Sequence, residues 1–369
     1  MSKAAELANL IGNINAGGGG VNRNLVINGA MNVSQRGDVT GKTSASFGGP
    51  DRFAVGITSH GTYAMSQSST VPSGKGFANS YKLDCTGDDT SIGSTAEVTI
   101  QHKFEGQNLQ TLRKGTSEAK PITVTFYCRS NLTGTFTLEF FDNDNSRQCS
   151  KNFTISSANT WEFKSITFPA DTTGTFDDDN AQSAVLVWWL AAGDNFTSGT
   201  QNTSAFASNT NANRVSSSIV NMSSSTDNEF LLTGVQLEVG QNATTFEHEP
   251  FDRTLAKCQR YFQQYATQDQ YDTCGGIVGF ANATTEAELF GNYLVKPRTQ
   301  PTITFSSNTT FRVSQDGTDK VTTGMASSLI SDSGFRVVSN VASGLTAGQA
   351  VGLLANSSTD CEINIDAEL

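Results

Sequence analysis

Apolar residues along this chain follow two spacings, and the places where one gives way to the other divide it. Near the start, Ala4, Leu7, Ala8, Leu10, Ile11 and Ile14 share one helical face behind Ser2, a suitable N-cap, so a short N-terminal helix is predicted. Gly17 to Gly20 follow, and four consecutive glycines hold neither helix nor strand, which predicts a flexible joint. From Val21 the spacing drops to two. Runs rich in Val, Ile, Thr and aromatics predict strands at Leu25 to Ile27, Tyr63 to Ser66, Ser80 to Asp84, Ala96 to Phe104, Ile122 to Arg129, Thr135 to Phe141, Trp161 to Phe168, Ala184 to Ala191 and Phe230 to Val239. Regularly spaced strands without intervening helices imply a mainly β fold, an antiparallel sandwich. Gln107 to Lys114 fits one turn of helix between strands.

The stretch from Phe230 to Tyr265 joins two halves of different character. Leu231, Thr233, Val235, Leu237 and Val239 alternate with Leu232, Gly234, Gln236 and Glu238, as in a half-buried strand. From Arg253 the spacing becomes helical, with Leu255, Cys258, Phe262 and Tyr265 on one face after the acidic Asp252. Beyond it β patterns return at Gly275 to Ala281, Ala287 to Leu294, Thr302 to Phe305, Phe311 to Val313, Gly334 to Val338 and Glu362 to Ile365, while Leu345 to Leu354 fits a short helical turn as well as a strand. Pro297 and Pro301 suit an edge strand or a strand entry. The expected organisation is helix and joint over 1–20, a sandwich over 21–252, a connecting helix over 253–266 and a smaller C-terminal β domain over 267–369.

One segment departs from both patterns. Phe196 to Asn228 is dominated by Ser, Thr, Asn and Ala, too long for an unstructured connection in a compact domain, and is expected to lie as a flap over one sheet or against a neighbouring subunit.

At 369 residues and 36% hydrophobic, the chain suffices for two or three buried cores, and no apolar run approaches the ~20 residues of a membrane-spanning helix. Its first twenty residues, with Glu6 and no continuous apolar run, do not read as a secretory signal, so synthesis and folding in a cytoplasm are expected. The net charge of −11, with Lys and Arg dispersed, disfavours nucleic acid and anionic lipid as partners. Cys85, Cys128, Cys149, Cys258, Cys274 and Cys361 form no CxxC pair and read as buried thiols. The Asn-x-Ser/Thr triplets follow from composition and predict no glycosylation.

Two ends of the sandwich region carry a family resemblance. NLVINGAMNVSQRG (Asn24 to Gly37), Asp51-Arg52-Phe53, TGVQLEVG (Thr233 to Gly240) and TTFEHEPFDRTLAKCQRYFQ (Thr244 to Gln263) resemble elements of a jelly-roll domain in phage tail fibre and other virion adhesin proteins; KPRTQPTITF (Lys296 to Phe305) resembles the family more loosely. The resemblance implies a jelly roll similar to carbohydrate-binding modules, spanning roughly Asn24 to Tyr265. It also implies a structural calcium as a feature to look for, since such modules often hold one.

The candidate chemistry is sparse. Trp188 and Trp189 are consecutive in SAVLVWWLAAG, so on a strand their rings point to opposite sides. An outward ring would stack on a sugar; the competing reading buries one in the core and the other under the long flap, which suits tryptophan's usual burial better. Asp142, Asp144 and Ser146 alternate as at the start of a calcium loop, and Asp177, Asp178 and Asp179 add a second acidic run, which makes Asp142, Asp144, Asp177 and Asp179 the candidate ligands. The loop glycine and distal glutamate of an EF-hand are missing, which favours solvated turns. His60, His102 and His248 show no zincin spacing, and no nucleophile or phosphate-cradling motif accompanies them, so no enzyme is predicted. His248 is expected to pack and hydrogen-bond where the chain leaves the sheet.

The expectation is therefore a tail fibre subunit located in the virion tail. Its N-terminal segment would attach it to tail adaptor or nozzle proteins, and its β domains would bind host surface polysaccharide; a head-fibre or decoration protein and a glycan-degrading tailspike are the alternatives. A homotrimer is expected, because the stripe of Leu7, Leu10, Ile11 and Ile14 needs a partner and Phe262 adds aromatic surface on the second helix.

Overall fold

A computed structural model describes residues 2–15, 22–267, 269 and 271–369, with helix α1 at Lys3–Asn15. It divides into two compact units, 1–254 with Leu369, and 255–368. The first holds strands β1 (Val39–Lys42), β2 (Ser46–Phe47), β3 (Phe53–Thr58), β4 (Thr62–Ser68), β5 (Ser80–Gly87), β6 (Glu97–Glu105), β7 (Ile122–Ser130), β8 (Gly134–Asp142), β9 (Arg147–Ile155), β10 (Glu162–Phe168), β11 (Gln182–Ala192), β12 (Ala207–Ser208) and β13 (Glu229–Val239), with a one-turn helix α2 (Asp194–Thr197). They form a six-stranded sheet, β1-β4-β5-β13-β7-β10, and a seven-stranded sheet, β12-β9-β8-β11-β6-β3-β2. All their pairings are antiparallel. The result is a jelly-roll sandwich.

Alternation builds its core. Ile122, Val124, Phe126 and Cys128 of β7 meet Phe136, Leu138 and Phe140 of β8 and Leu186, Trp188 and Leu190 of β11 in one buried cluster. On β13 the strict alternation expected from sequence is corrected. Phe230 and Leu232 face the core, but so do Val235, Leu237 and Val239, because the register shifts between Thr233 and Gln236. Gly234, at φ +62°, absorbs that extra residue as a bulge.

The resembling segments meet in space. The segment expected as a strand at Leu25 to Ile27 is irregular, and it is clasped to β13: Leu25 N donates to Leu237 O at 3.0 Å and Val235 N to Gly29 O at 2.9 Å. Asn24 closes the clasp, accepting from Leu237 N and donating to Val235 O, while the Glu247 carboxylate takes the Asn22 and Asn24 amides. Arg52, fully buried at φ +73°, donates to Lys103 O. Burial and that guanidinium together hold His102 well below the usual histidine range. These motifs build the fold.

Helix α3 spans Phe251–Gln259 and ends six residues before Tyr265, where the sequence pattern placed its end. Its continuation is strand β14 (Phe262–Ala266), paired residue by residue with β22 (Glu362–Asp366). Pairing overrides the helical spacing, and Phe262 becomes a buried strand residue, 4% exposed, instead of a residue on an oligomer seam.

The second unit continues with β15 (Thr273–Ala283), β16 (Glu286–Asn292), β17 (Thr302–Phe305), β18 (Phe311–Gln315), β19 (Thr318–Ser328), β20 (Gly334–Val341) and β21 (Ala350–Ala355), the last lying where a helical turn was the alternative. Six of these close a barrel, β15-β16-β20-β19-β18-β21, and β14-β22-β17 form a separate three-stranded sheet. Its core includes Cys274, Leu289, Phe311, Val313, Phe335, Val337 and Leu353. All six cysteines are buried free thiols. No helix among the described residues is long and apolar enough to cross a membrane.

Candidate functional site

The two tryptophans occupy opposite faces of β11, and both are fully buried. Trp188 points into the sandwich, edge-on to Phe126 at 5.7 Å. Trp189 lies under the 196–228 segment, which does form the flap: Val215 and Ile219 cover it together with Val185 and Val187. Arg214 sits 4.9 Å over its ring and forks onto Glu139 at 2.8 and 2.9 Å, and the indole N–H donates to the same carboxylate. Burial alone would lower the Arg214 pKa, but Glu139 raises it, so the latch stays charged. Neither ring is open to a sugar, so the stacking candidacy of Trp188 and Trp189 is corrected and the competing reading, burial in the core and under the flap, is the one found.

The two acidic loops do come together, around a lysine. Lys114 Nζ lies 2.5 Å from Asp142 and 3.2 Å from Asp171, and donates to the carbonyls of Thr173 and Gly174 at 2.7 and 2.8 Å. Its side chain is 4% exposed and that of Asp142 0%. Against the cost of burial, Arg147 and Lys114 hold the Asp171 carboxyl below its usual range. Asp144 accepts from the Asp177 amide at 3.0 Å, bridging the two loops, and Asp179 from the Ala181 amide at 2.9 Å, closing its own turn. Among the described residues no cluster of three or more His, Cys, Asp or Glu is placed to hold a metal. The ammonium stands where calcium was expected to bind Asp142, which corrects that assignment.

On helix α1, Leu7 and Ile11 are 56% and 48% exposed and Leu10 is half-buried, while Asn9 donates to Ala243 O at 3.3 Å. The side chain of Ile14 and the glycine joint at Gly17 to Gly20 lie outside the described residues.

The surface that sequence reasoning missed is the outer face of the six-stranded sheet. On β10, Ile166 and Phe168 turn toward the core, so the odd-numbered Phe163, Ser165 and Thr167 turn outward. Phe163 is 48% exposed and lies directly across from Tyr127 of β7, ring centres 5.1 Å apart. Next in the sheet comes β13, where Gly234 has no side chain. Phe77 fills that gap from the preceding loop, 5.8 Å from Tyr127, and a Cβ on Gly234 would stand 2.6 Å from its ring. Phe246 and His248 extend the row, 5.0 and 5.3 Å from Phe77.

Five rings thus cross the sheet, with Phe163 and His248 exposed, Tyr127 and Phe246 half-buried and the central Phe77 buried among them. On one flank Arg129 and Lys82 both hold Glu229, at 2.5 and 3.0 Å. Burial would raise the Glu229 pKa, but Lys82 and Arg129 pull it below the usual range. On the other flank Thr123 and Thr167 hydroxyls meet at 3.0 Å. Rings beside fixed hydrogen-bonding groups suit a ligand with one apolar and one hydroxylated face. One signal was present in the sequence: Phe163 is out of step with Ile166 and Phe168. Phe77 and Phe246 come from loops, which carry no periodicity.

No protein-family model matches the chain. No curated protein matches it. Among solved structures, it is similar to the enzymatically active domain of bacteriophage CBA120 tailspike protein 4, at 14% identity and TM-score 0.31, over 59% of this chain and 21% of that one. It is also similar to a putative sugar binding protein from Bacteroides thetaiotaomicron, at 13% identity and TM-score 0.32, over 58% and 99%. A third is the family 11 carbohydrate-binding module of a Clostridium thermocellum cellulase, at 14% identity and TM-score 0.26, over 57% and 99%. The chain spans about a fifth of the tailspike structure it matches. At these scores the sandwich assignment rests on the strand order itself.

Three outcomes follow from this geometry. Lys114→Met leaves Asp142 buried without its counter-charge, and denaturant unfolding is expected to show a loss of about 3–5 kcal/mol. The unsubstituted protein should melt at the same temperature with chelator or with added calcium; a rise with calcium would show that Lys114 does not complete this site. Gly234→Ala should cost about 1–2 kcal/mol from its positive φ alone. It should also push Phe77 off the sheet, read as a further fall in melting temperature beyond that backbone cost.

Proposed function

We propose that this chain is a phage tail fibre subunit that binds a host surface glycan through the outer face of its six-stranded sheet. The observation that carries this reading is the aromatic row from Phe163 through Tyr127 and Phe77 to His248, with Phe163 48% exposed where solvent-facing positions are otherwise polar. The resembling segments at Asn24 to Gly37 and Thr233 to Gln263 agree with it. The role is binding without catalysis: Glu229, the carboxylate beside the row, is held as a fixed anion by two cations, which suits a hydrogen-bond acceptor better than a general acid. Attachment to the virion tail is assigned to α1, whose Leu7 and Ile11 lack cover, and a homotrimer would give that stripe identical partners.

Phe163→Ala tests the binding face. Removing one stacked ring should weaken binding to a responsive oligosaccharide on an array, and to host cells, about 10-fold or more, with an unchanged melting temperature. Equal binding by the variant would sink the assignment and return the sandwich to a packing role. Deleting residues 1–20 should abolish incorporation into particles and leave glycan binding intact. Light scattering on the full chain should give three times its 39.2 kDa mass, and a single-chain mass at micromolar concentration would end the trimer reading.

A further inference from the structure

We propose that the C-terminal barrel carries a second carbohydrate platform, separate from the sandwich face, on the outer surface of β15, β16 and β20. On β15, Val278 and Phe280 face outward, 61% and 40% exposed. On β16, Phe290 is 48% exposed and lies directly across from Val278, while Glu288 lies across from Phe280. The two phenyl rings sit 6.4 Å apart and are tilted by 34° to each other, which makes an open, shallow apolar trough. The next strand sets polar groups along it: Arg336 of β20 faces Phe290 and pairs with Glu288 at 2.9 Å, and Asn340 faces Glu286. Arg336 Nε also donates to Ser328 Oγ at 2.9 Å, so the guanidinium is fixed in place and keeps further N–H donors.

The arrangement selects its occupant. The barrel is closed, so it offers no free strand edge for a peptide to extend. An apolar face from a second copy of the chain would cover Phe280 and Phe290 but would also desolvate the Glu288–Arg336 pair, whose side chains are 19% and 25% exposed, with nothing to hydrogen-bond it. A sugar ring meets both demands at once. Its C–H face covers the phenyl trough, and vicinal hydroxyls donate to Glu288 and accept from Arg336. Because the guanidinium is already neutralised by Glu288, nothing along the trough favours a sugar carboxylate. The ligand class is therefore neutral oligosaccharide.

The test uses the full chain in a Phe163→Ala background, which weakens the sandwich face, against an array of neutral and uronic-acid oligosaccharides. Binding to neutral oligosaccharides is expected to persist there. Adding Phe290→Ala should then reduce it about 10-fold or more, and adding Glu288→Gln, which keeps shape and removes charge, should reduce it with no change in melting temperature. Loss of all array binding in the Phe163→Ala background, or unchanged binding after Phe290→Ala, would overturn the platform. So would a preference for the uronic-acid arm, or a fall in light-scattering mass on Phe290→Ala, which would mark the trough as an interface between copies. These outcomes are independent of whether Phe163→Ala itself weakens binding, so the sandwich face and the barrel platform fail separately.

Discussion

Strand β13 has to keep an apolar face on the core along eleven residues while its sequence changes phase, and the bulge at Gly234 is what allows it. Without that positive-φ residue, either Phe230 and Leu232 or Val235, Leu237 and Val239 would turn to the outside, since a one-residue slip exchanges the two faces of a strand. The same residue leaves a bare patch on the outer surface, and Phe77 occupies it. One backbone conformation thus supports both the core beneath the sheet and the ring row above it. It also fixes where β13 receives the irregular segment at Asn24 to Gly29, whose bonds to Val235 and Leu237 begin just past the bulge.

Two cations, the buried Lys114 and the half-buried Arg214, tie irregular segments to this frame. Lys114 gathers two carboxylates and two carbonyls from the Asp142 and Asp171 to Gly174 loops, and Arg214 pins the long flap to Glu139 over Trp189. Each neutralises a fully buried carboxylate, Asp142 or Glu139, that its removal would strand, so each specifies one placement of a loop that has few apolar residues of its own. In the flap that point is acute, because Val215 is its one apolar residue buried against the sheet face, with Ile219 and Phe196 only partly so. The guanidinium stacked on the indole replaces the hydrophobic contact that Ser, Thr and Asn cannot supply.

How much of this was legible in the sequence varies with the physics of each element. Strands such as Ile122 to Arg129 and Thr135 to Phe141 were readable because one side is core and the other is not. Strand β9 was not: its RQCSKNFTI run buries Gln148 and Ser150 as well as Cys149 and Phe153. Polar side chains enclosed between strand and flap erase the alternation that would mark it. The helix expected through Tyr265 failed for a different reason. Phe262 and Tyr265 fit a helical stripe equally well, and only pairing with β22, a hundred residues downstream, decides for strand. Burial of both tryptophans was foreseeable from residue type. That Lys114 would occupy the acidic loops was not, because it lies 28 residues before Asp142 and nothing local links them.

Exposed aromatics on a β surface need a reason, because a ring left in water forgoes about 1.5–3 kcal/mol that burial would return. In both units the outward rings occur where the strand's own pattern assigns a polar residue: Phe163 alternates with inward Ile166 and Phe168, and Phe290 alternates with inward Leu289 and Gly291. In both, the ring lies directly across a strand pair from a second apolar side chain, Tyr127 or Val278, and a carboxylate–guanidinium pair stands nearby: Arg129, two residues beyond Tyr127, with Glu229, and Glu288, two residues before Phe290, with Arg336. What the two places share is an apolar area of tilted rings bordered by charges that already neutralise each other, so each presents shape and fixed hydrogen-bonding groups with little net charge.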